Sequence, residues 1–242
     1  MNKKLNIIAT IKDGVAIALL NYLSLVAAAA LYLLTIWIPY LNVGTTIAMC
    51  SLPAEMAKGN VVNPLFIFEG RFRRNMGEFF ILMALMTGAI SVGFMFGIIP
   101  GIVISYAWYL AVILFVDKDR NALEALRESN QLTYGNKMRI FLIELVLGLA
   151  IGIACGIISG IFSIGHVHAL ETIGTIINVV IIVFAVPAIY GVEASIYKQL
   201  TSGEVLDAPE APAAPAPEAP AAPAEEKDAP KAPKAPKAKK AE

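Results

Sequence analysis

The sequence predicts an all-α, polytopic membrane helix bundle with six membrane helices, the second of them short. A cytoplasmic amphipathic helix and a disordered carboxy-terminal tail complete the prediction. Of the 242 residues, 57% are hydrophobic and 16% are charged, and the mean hydropathy of +0.69 is well above that of soluble domains. Apolar stretches long enough to cross a bilayer recur along the chain. Basic residues are confined to alternate connections between these stretches, as in multi-span membrane proteins.

The apolar stretches define the bundle, which we place over residues 14–201. A full crossing needs about 20 residues, so residues 42–57 are the weakest candidate and form either a short span or a re-entrant segment. Residues 78–116 are long enough for two spans, with a turn or kink at Pro100 and Gly101. The six predicted spans are residues 14–40, 42–57, 78–99, 101–116, 139–162 and 170–197.

The placement of basic residues decides whether residues 42–57 cross the membrane. Lys and Arg number 3 in residues 1–13, 4 in residues 58–74, 5 in residues 118–139 and 7 from residue 198 onward. If residues 42–57 cross, all 19 basic residues lie on one side, as the positive-inside rule expects of cytoplasmic segments. We therefore predict six spans in the bacterial cytoplasmic membrane, with both termini in the cytoplasm.

A short polar helix is predicted between the fourth and fifth spans. Asn121 can cap it, Glu124 follows three residues later as in a capping box, and Gly135 suits the left-handed position after its end. Because it is amphipathic and too short to cross a bilayer, we expect it to lie on the membrane surface. Its apolar side is expected to comprise Ala122, Leu123, Ala125, Leu126 and Leu132.

Several short motifs around this helix resemble a known family. They are Pro100-Gly101, an aromatic run before the acidic break at Asp117, Ala-Leu-x-x-Ser at 125–129, Tyr-Gly-Asn at 134–136 and Phe-Glu-Gly-Arg-Phe-Arg-Arg at 68–74. The pattern, over roughly residues 15–200, is similar to bacterial membrane proteins related to the membrane domain of glycerophosphoryl diester phosphodiesterases. The phosphodiesterase catalytic domain has no counterpart in this chain. The resemblance therefore implies no hydrolase activity and supplies no catalytic residues.

Glycines at four-residue spacing predict close helix packing. This spacing places them on one helix face, where the missing side chains let another backbone approach. The partner helix belongs either to the same chain or to a second copy, and a sliding or gating face in a transporter is the functional alternative. The two ladders are Gly148, Gly152, Gly156 and Gly160 in the fifth span and Gly93, Gly97 and Gly101 around the predicted turn.

A few polar residues inside the spans are candidates for function. Glu144 and Glu193 are intramembrane acids, which are costly and therefore functional candidates by default. Each lies five residues from a basic residue, about 8 Å from a cytoplasmic helix end, so both a structural and a proton- or cation-coupling role are open. Asn178 is expected to hydrogen-bond between helices. Cys50 and Cys155 are expected to be small core residues without a disulfide.

The outer loop holds a weak candidate for a metal site. Two imidazoles and a carboxylate, from His166, His168 and Glu171, are side chains that bind zinc, but their spacing matches no specific motif. The sequence contains no nucleophile elbow, P-loop, HExxH motif or dinucleotide fingerprint. We therefore predict no metal, no cofactor and no enzymatic activity.

Residues 202–242 have a different composition. Ala-Pro repeats with Glu and then Lys cannot bury apolar surface, which predicts a disordered tail. The last sixteen residues carry six lysines. The tail is either a solvated spacer or a contact for anionic lipid or an acidic partner. Nucleic acid is not expected, because no aromatic residue is interleaved with the lysines.

Three functions are compatible with the sequence. The first is a non-enzymatic structural, assembly or regulatory role in the membrane, which needs no special polar site. The second is a small oligomeric transporter or channel, which needs a polar route through the bundle. The third is lipid binding or lipid modification, which only the resemblance implies. The first is favoured, because the spans offer few polar side chains beyond Thr87, Ser91, Ser105 and Asn178.

Overall fold

The structure, a computed structural model, describes residues 4–163 and 168–202, without the side chains of His168 and Ala169. Within these ranges the chain is all-helical and contains no strand. The elements are α1 (Ile7–Thr35), α2 (Pro39–Ala57), a 3-10 helix (Pro64–Phe68), α3 (Arg71–Arg74), α4 (Met76–Phe96), α5 (Ile98–Ala107), α6 (Ala111–Asp117), α7 (Ala122–Thr133), α8 (Lys137–Ser163) and α9 (His168–Ser202). Ser202, the first residue of the predicted disordered tail, is the last residue of α9, and residues 203–242 lie outside the described residues.

Five helical segments are long and apolar enough to cross a membrane. They are Ile7–Thr35, Met76–Phe96, Ile98–Asp117, Lys137–Ser163 and Leu170–Ser202. The predicted short second span is a helix, α2, but it is not among these five. The class of membrane helix bundle is therefore supported, and the sixth crossing stays a prediction.

The first helix is displaced toward the amino terminus relative to the prediction. α1 begins at Ile7 because the side chain of Asn6 caps it, accepting a hydrogen bond from the backbone N–H of Ala9. It ends at Thr35. α2 then begins at Pro39, where the missing N–H of proline costs no helical hydrogen bond.

The turn between α4 and α5 lies at Gly97, so the predicted position at Pro100 and Gly101 is wrong. Gly97 has φ +146° and ψ +164°, a backbone conformation that favours glycine. Pro100 instead lies in the first turn of α5, where backbone N–H groups have no partner within the helix.

The predicted fourth span is not one continuous helix. α5 ends at Ala107 and α6 begins at Ala111, with a break over residues 108–110. The apolar run gives no sign of this interruption. The physical reason for the break lies in α7, as described below.

α2 is the most completely enclosed of the long helices. From Gly44 to Ala54, every residue is buried except Thr46 and Cys50. α2 packs against α1, α6 and α9. The less apolar helix therefore forms the centre of the described bundle.

α7 has the predicted ends, and only part of its apolar side is buried against the described bundle. The capping box between Asn121 and Glu124 is formed, and Gly135 has φ +81°. Leu123, predicted on the apolar side of the helix, is 57% exposed, and whether it faces a membrane stays a prediction. The helix packs against α4, α5 and α6, and contact with the bilayer surface stays a prediction. Its buried residues are Ala122, Ala125, Leu126, Ser129 and Thr133.

The segments that the charge pattern assigns to the cytoplasm contact one another. Lys58, after α2, forms an ion pair with Asp117 at the end of α6, with 2.8 Å between Nζ and Oδ1. Leu5, before α1, donates its backbone N–H to the side chain of Asn136, before α8. The ends of α1, α2, α6 and α8 therefore meet at one side of the bundle.

Candidate functional site

The break between α5 and α6 is held open by two hydroxyl groups of α7. Ser129 Oγ donates to the carbonyl oxygen of Ala107 at 2.9 Å and accepts from the N–H of Leu110 at 3.1 Å. Thr133 Oγ1 donates to the same carbonyl at 3.2 Å. These buried bonds replace helical hydrogen bonds that the break removes. The serine of the Ala-Leu-x-x-Ser motif thus has a structural role.

The break directs Tyr109 toward α8. The Tyr109 hydroxyl donates to Oε1 of Glu144 at 2.5 Å. The Tyr109 ring stacks on Tyr106, with 6.1 Å between ring centroids, and Tyr106 makes an edge contact with Phe141 of α8. The carboxylate of Glu144 is therefore fixed by a phenol at a helix interruption.

Glu193, on α9, is the second acid of the site. It lies within electrostatic range of both Glu144 and Tyr109. Its carboxylate makes no hydrogen bond to any residue in the described ranges. Neither Glu144 nor Glu193 pairs there with a Lys or Arg. We call these two residues the acid pair.

Close packing of α9 on α1 positions Glu193. A Cβ added to Gly191 would lie 2.2 Å from the carbonyl oxygen of Gly14, and one added to Gly14 would lie 2.5 Å from the Cα of Val192. The two backbones are therefore in direct contact. On the next turn of α9, Ser195 donates to Asp13 of α1 at 2.8 Å. Sequence analysis missed this contact because each glycine stands alone instead of in a ladder.

Other titratable side chains surround Glu193. Cys50 of α2 lies within electrostatic range of Glu193. Tyr190, one turn before Glu193, lies within range of Cys50, Glu193 and Tyr32 of α1. Three helices thus contribute groups with exchangeable hydrogens to one region.

A line of polar groups continues from this region along α2. The hydroxyls of Tyr32 and Thr46 lie 3.2 Å apart. Thr46 in turn donates to Oδ1 of Asn42 at 3.1 Å. We call Asn42, Thr46 and Cys50, which stand four residues apart on one face of α2, the polar stripe. Sequence analysis predicted only a packing role for Cys50 and assigned no role to Asn42 or Thr46.

Charged residues form a separate network at the helix ends. Lys58 bridges Asp117 and Glu55, and Tyr197 donates to Oδ2 of Asp117. Burial alone would lower the pKa of Lys58, but the hydrogen bonds to Asp117 and Glu55 outweigh it and raise that pKa. The network therefore ties α2, α6 and α9 together outside the apolar part of the bundle.

A similar network anchors α7. Glu128 accepts hydrogen bonds from Lys118 and Arg120. Burial alone would raise the pKa of Glu128, but these two cations outweigh it and lower that pKa. The carboxylate is therefore held in its charged form.

The two glycine ladders differ in the structure. In the shorter one, a Cβ added to Gly93 would lie 3.1 Å from the Cα of Gly101, so α4 and α5 approach closely there. In α8, apart from the neighbouring backbone of α8 itself, no atom of the described residues lies within 4 Å of a Cβ added to Gly148, Gly152, Gly156 or Gly160. The expected close contact of Gly152 and Gly156 is therefore not made within the described part of the chain. A close contact of Gly152 and Gly156 with a helix of another molecule stays a prediction.

The remaining polar candidates lie at the other end of the α8–α9 hairpin. Asn178 donates to Ser159 at 2.8 Å, an interhelical hydrogen bond of the expected kind. Glu171 lines a small cavity of about 200 Å³ beside them. His166 and the side chain of His168 lie outside the described residues. Within the described ranges, no group of three His, Cys, Asp or Glu side chains could hold a metal ion.

An apolar cleft of about 280 Å³ lies between the second half of α1 and the middle of α9, away from their contact at Gly14 and Gly191. The small side chains of Ala29 and Ala30 leave this space, and Tyr190 and Met49 line it too. Tyr190 thus lies between an apolar cleft and the acid pair. The side chains that line this cleft are almost all apolar.

Comparison with known proteins gives no match: no family model, no curated protein and no solved structure is similar to the chain. The resemblance to phosphodiesterase membrane domains gains no support and stays a prediction. The geometry of the acid pair is thus the main evidence about function.

Proposed function

We propose that the protein is a small, non-enzymatic membrane transporter or channel for protons or monovalent cations. One observation carries the proposal: Glu144 and Glu193 lie within electrostatic range of each other without a basic partner in the described residues. Among the three functions compatible with the sequence, this arrangement favours transport over a purely structural role. A polar route, which transport requires, is offered by the polar stripe and its tyrosine neighbours.

Two neighbouring carboxylates in such a place favour a bound positive charge. Like charges within electrostatic range repel each other, and the repulsion grows as the local dielectric constant falls. Desolvation adds to this cost inside a membrane protein. A proton or a cation bound by the acid pair relieves both costs. The Tyr109 hydroxyl stabilises a charge that remains on Glu144.

The interrupted helix beside the acid pair is a second argument for transport. Transporters commonly form their binding sites at discontinuous membrane helices, where the regular backbone gives way. Here the break places a phenol against Glu144.

The proposal includes six membrane helices with both termini in the cytoplasm of a bacterium. The contacts of α2 support a sixth crossing. Near one end of α2, the hydroxyl oxygen of Thr45 lies 3.3 Å from that of Thr35 in α1. After the other end, Lys58 forms an ion pair with Asp117. Cysteine-accessibility labelling of Arg73→Cys and Lys4→Cys variants tests this topology. Both sites should be protected from an impermeant reagent outside intact cells. Labelling of the first site alone would contradict six crossings.

Ion flux into liposomes tests the transport proposal. Purified protein is reconstituted, and proton and sodium fluxes are followed with dyes under an imposed gradient. Wild-type protein should carry one of the two ions, and Glu144→Gln or Glu193→Gln should lower that flux at least tenfold. The control Glu69→Gln, which alters a surface ion pair with Arg71, should behave as wild type. Absence of wild-type flux, or full flux in both glutamine variants, would contradict the proposal.

An assembly role is the second candidate, and the open glycine face of α8 favours it. Because Gly152 and Gly156 have no neighbour in the described chain, they can receive a helix of a second copy. Gly156→Leu should then convert an oligomer to monomers, as judged by light scattering in detergent. A monomeric wild type would remove this candidate.

Lipid contacts of two kinds are also part of the proposal. The apolar cleft between α1 and α9 favours bound acyl chains, and the lysines of the tail favour anionic lipid or an acidic partner. A peptide of residues 203–242 should bind anionic vesicles at low salt and lose this binding at high salt, because its attraction is electrostatic. Equal binding to neutral vesicles would show that charge is not responsible.

A further inference from the structure

We propose that a groove along α8 binds a lipophilic organic cation through Glu144, and that the protein exchanges this cation for a proton. This inference rests on the proposed transport function and names the class of monovalent cation that is carried. Three features of the described residues support it: the open shape of the groove, its lining, and the hydrogen bond that holds Glu144.

The groove lies where α5 meets α8 and has a volume of about 500 Å³. One of its walls consists of the aliphatic side chains of Leu145, Leu149 and Ile153. All three of these side chains are exposed on the surface of the described bundle. A ligand can therefore enter the groove from the side, without passing through the packed centre.

Glu144 continues the longer glycine ladder toward the amino terminus of α8. It stands four residues before Gly148 and eight before Gly152, so the acid and the two glycines lie on one face of the helix. All three residues line the groove. Apart from the neighbouring backbone of α8 itself, no atom of the described residues lies within 4 Å of a Cβ added to either glycine. The two glycines thus leave room beside the carboxylate for a bulky ligand.

The carboxylate of Glu144 has one oxygen in use and one free. Tyr109 donates its hydroxyl to Oε1 at 2.5 Å, which fixes the position of the carboxylate. Within the described ranges, Oε2 accepts no hydrogen bond and neither oxygen pairs with a Lys or Arg. A negative charge in a membrane span is costly unless a positive charge balances it. The free oxygen is therefore available for the positive charge of a ligand.

Aromatic rings line the groove beside Glu144. Tyr106 and Phe141 meet edge to face, with 5.8 Å between their ring centroids. The faces of such rings attract cations, and substituted ammonium groups are commonly recognised in this way. One carboxylate, two rings and aliphatic walls together suit an ion with a single positive charge and a large apolar surface.

Other occupants match the lining less well. A sodium ion needs several oxygen ligands, and among the described residues only Glu144 and Tyr106 line the groove with side chains that contain oxygen. An acyl chain would leave the carboxylate without an opposite charge. A second copy, related by a two-fold axis along the membrane normal, would place its own Glu144 at the same depth, where like charges repel.

The single free oxygen accounts for exchange. The titratable groups in electrostatic range of Glu144 are Tyr106 of α5, Tyr109 of the α5–α6 break and Glu193 of α9. None of these three groups carries a positive charge. Glu144 can therefore hold either a proton or an organic cation, and binding of one releases the other.

Binding of tetraphenylphosphonium, a lipophilic cation, tests the inference. Equilibrium dialysis of the purified full chain in detergent should show saturable binding, and Glu144→Gln should weaken it at least tenfold. Gly152→Leu should weaken it as much, because the new side chain fills the groove without meeting another described residue. Gly160→Leu, on the same face of α8 but beyond the groove, is the matched control and should retain wild-type affinity.

Tetraphenylborate, an anion of the same shape, should show no saturable binding. Equal binding of the two ions would mean that Glu144 does not select for charge, and would overturn the inference. Absence of tetraphenylphosphonium binding, as a second copy seated in the groove would cause, would overturn it too. Proton or sodium flux that still depended on Glu144 would then leave the transport function standing. Binding of the cation without flux of either ion would support the site and contradict the transport function.

Discussion

α2 and α8 reverse the usual relation between hydrophobicity and burial. α8 is the most apolar of the five candidate spans, yet only Ile140 and Ile143 near its beginning are buried within the described bundle. α2 is absent from those candidates but is enclosed over most of its length. In this protein, hydropathy identifies the helix that faces outward and fails to identify the helix at the centre.

The physical reason is that lipid satisfies apolar side chains as well as a protein interior does. Helix association in a bilayer therefore depends on close packing of small residues and on hydrogen bonds. α2 supplies both, with buried Gly44, Ala48 and Ala54 among its small residues and buried Thr45 and Ser51 among its polar ones. α8 beyond Ile143 presents mainly large apolar side chains and open glycines.

The largest expected effect on stability comes from replacing a glycine in a helix contact, compared with replacing a glycine that has no neighbour. Gly191→Leu should destabilise the protein by about 3 kcal/mol or more, because even a Cβ there would lie 2.2 Å from the Gly14 carbonyl oxygen. Gly156→Leu, the matched variant on α8, should leave the stability of the monomer unchanged. Thermal unfolding in detergent measures both. Equal destabilisation of the monomer by the two variants would show that α8 is packed after all.

The next effect concerns polar groups in the packed region. Ser129→Ala should cost about 1–3 kcal/mol, because it leaves the buried N–H of Leu110 without its partner. Ser91→Ala, on the exposed part of α4, is the control and should change stability little. Thermal unfolding of both variants checks the prediction. A wild-type midpoint for Ser129→Ala would mean that the helix break does not depend on α7.

The smallest effect concerns ion pairs outside the apolar bundle. The pKa of Glu128 is lowered, so its contribution to stability is present above its unfolded pKa of about 4.3 and is lost as the pH falls through the folded pKa. At pH 7, Glu128→Gln should cost less than about 1 kcal/mol. The difference from wild type should vanish in acid, as measured by thermal unfolding across pH. A difference that grows in acid would contradict this assignment.

Local features of the fold were predictable, while features that join distant residues were not. The ends of α7 follow from Asn121, Glu124 and Gly135, because capping depends on residues within one helical turn. The turn at Gly97 was misplaced because the neighbouring Pro-Gly pair is the stronger turn signal. The α5–α6 break is invisible in an unbroken apolar run, since its cause is a pair of hydroxyls some twenty residues later.

The candidate site could be predicted only in part. Glu144 and Glu193 were identified because acids are rare inside membrane spans. Their proximity in space could not be predicted, because it depends on how α8, α9 and the α5–α6 break pack together. The polar stripe was overlooked because hydrogen-bonding residues weaken a hydropathy signal. Hydrogen-bonding residues can nevertheless lie at the centre of a membrane bundle, because neighbouring helices supply their partners.

The two native cysteines allow the most direct test of the account. Cys50 lies in the polar stripe and Cys155 lies in α8, and neither forms a disulfide. The variants Cys155→Ala and Cys50→Ala each keep one cysteine, so the S–H infrared band of each thiol can be assigned. Transfer of each reconstituted variant to heavy water then shows how fast the hydrogen of that thiol exchanges. We expect the Cys50 thiol to exchange much faster than the Cys155 thiol, because Cys50 lies in the polar stripe within electrostatic range of Glu193. Exchange at Cys50 that is no faster than at Cys155 would contradict a polar route through the bundle.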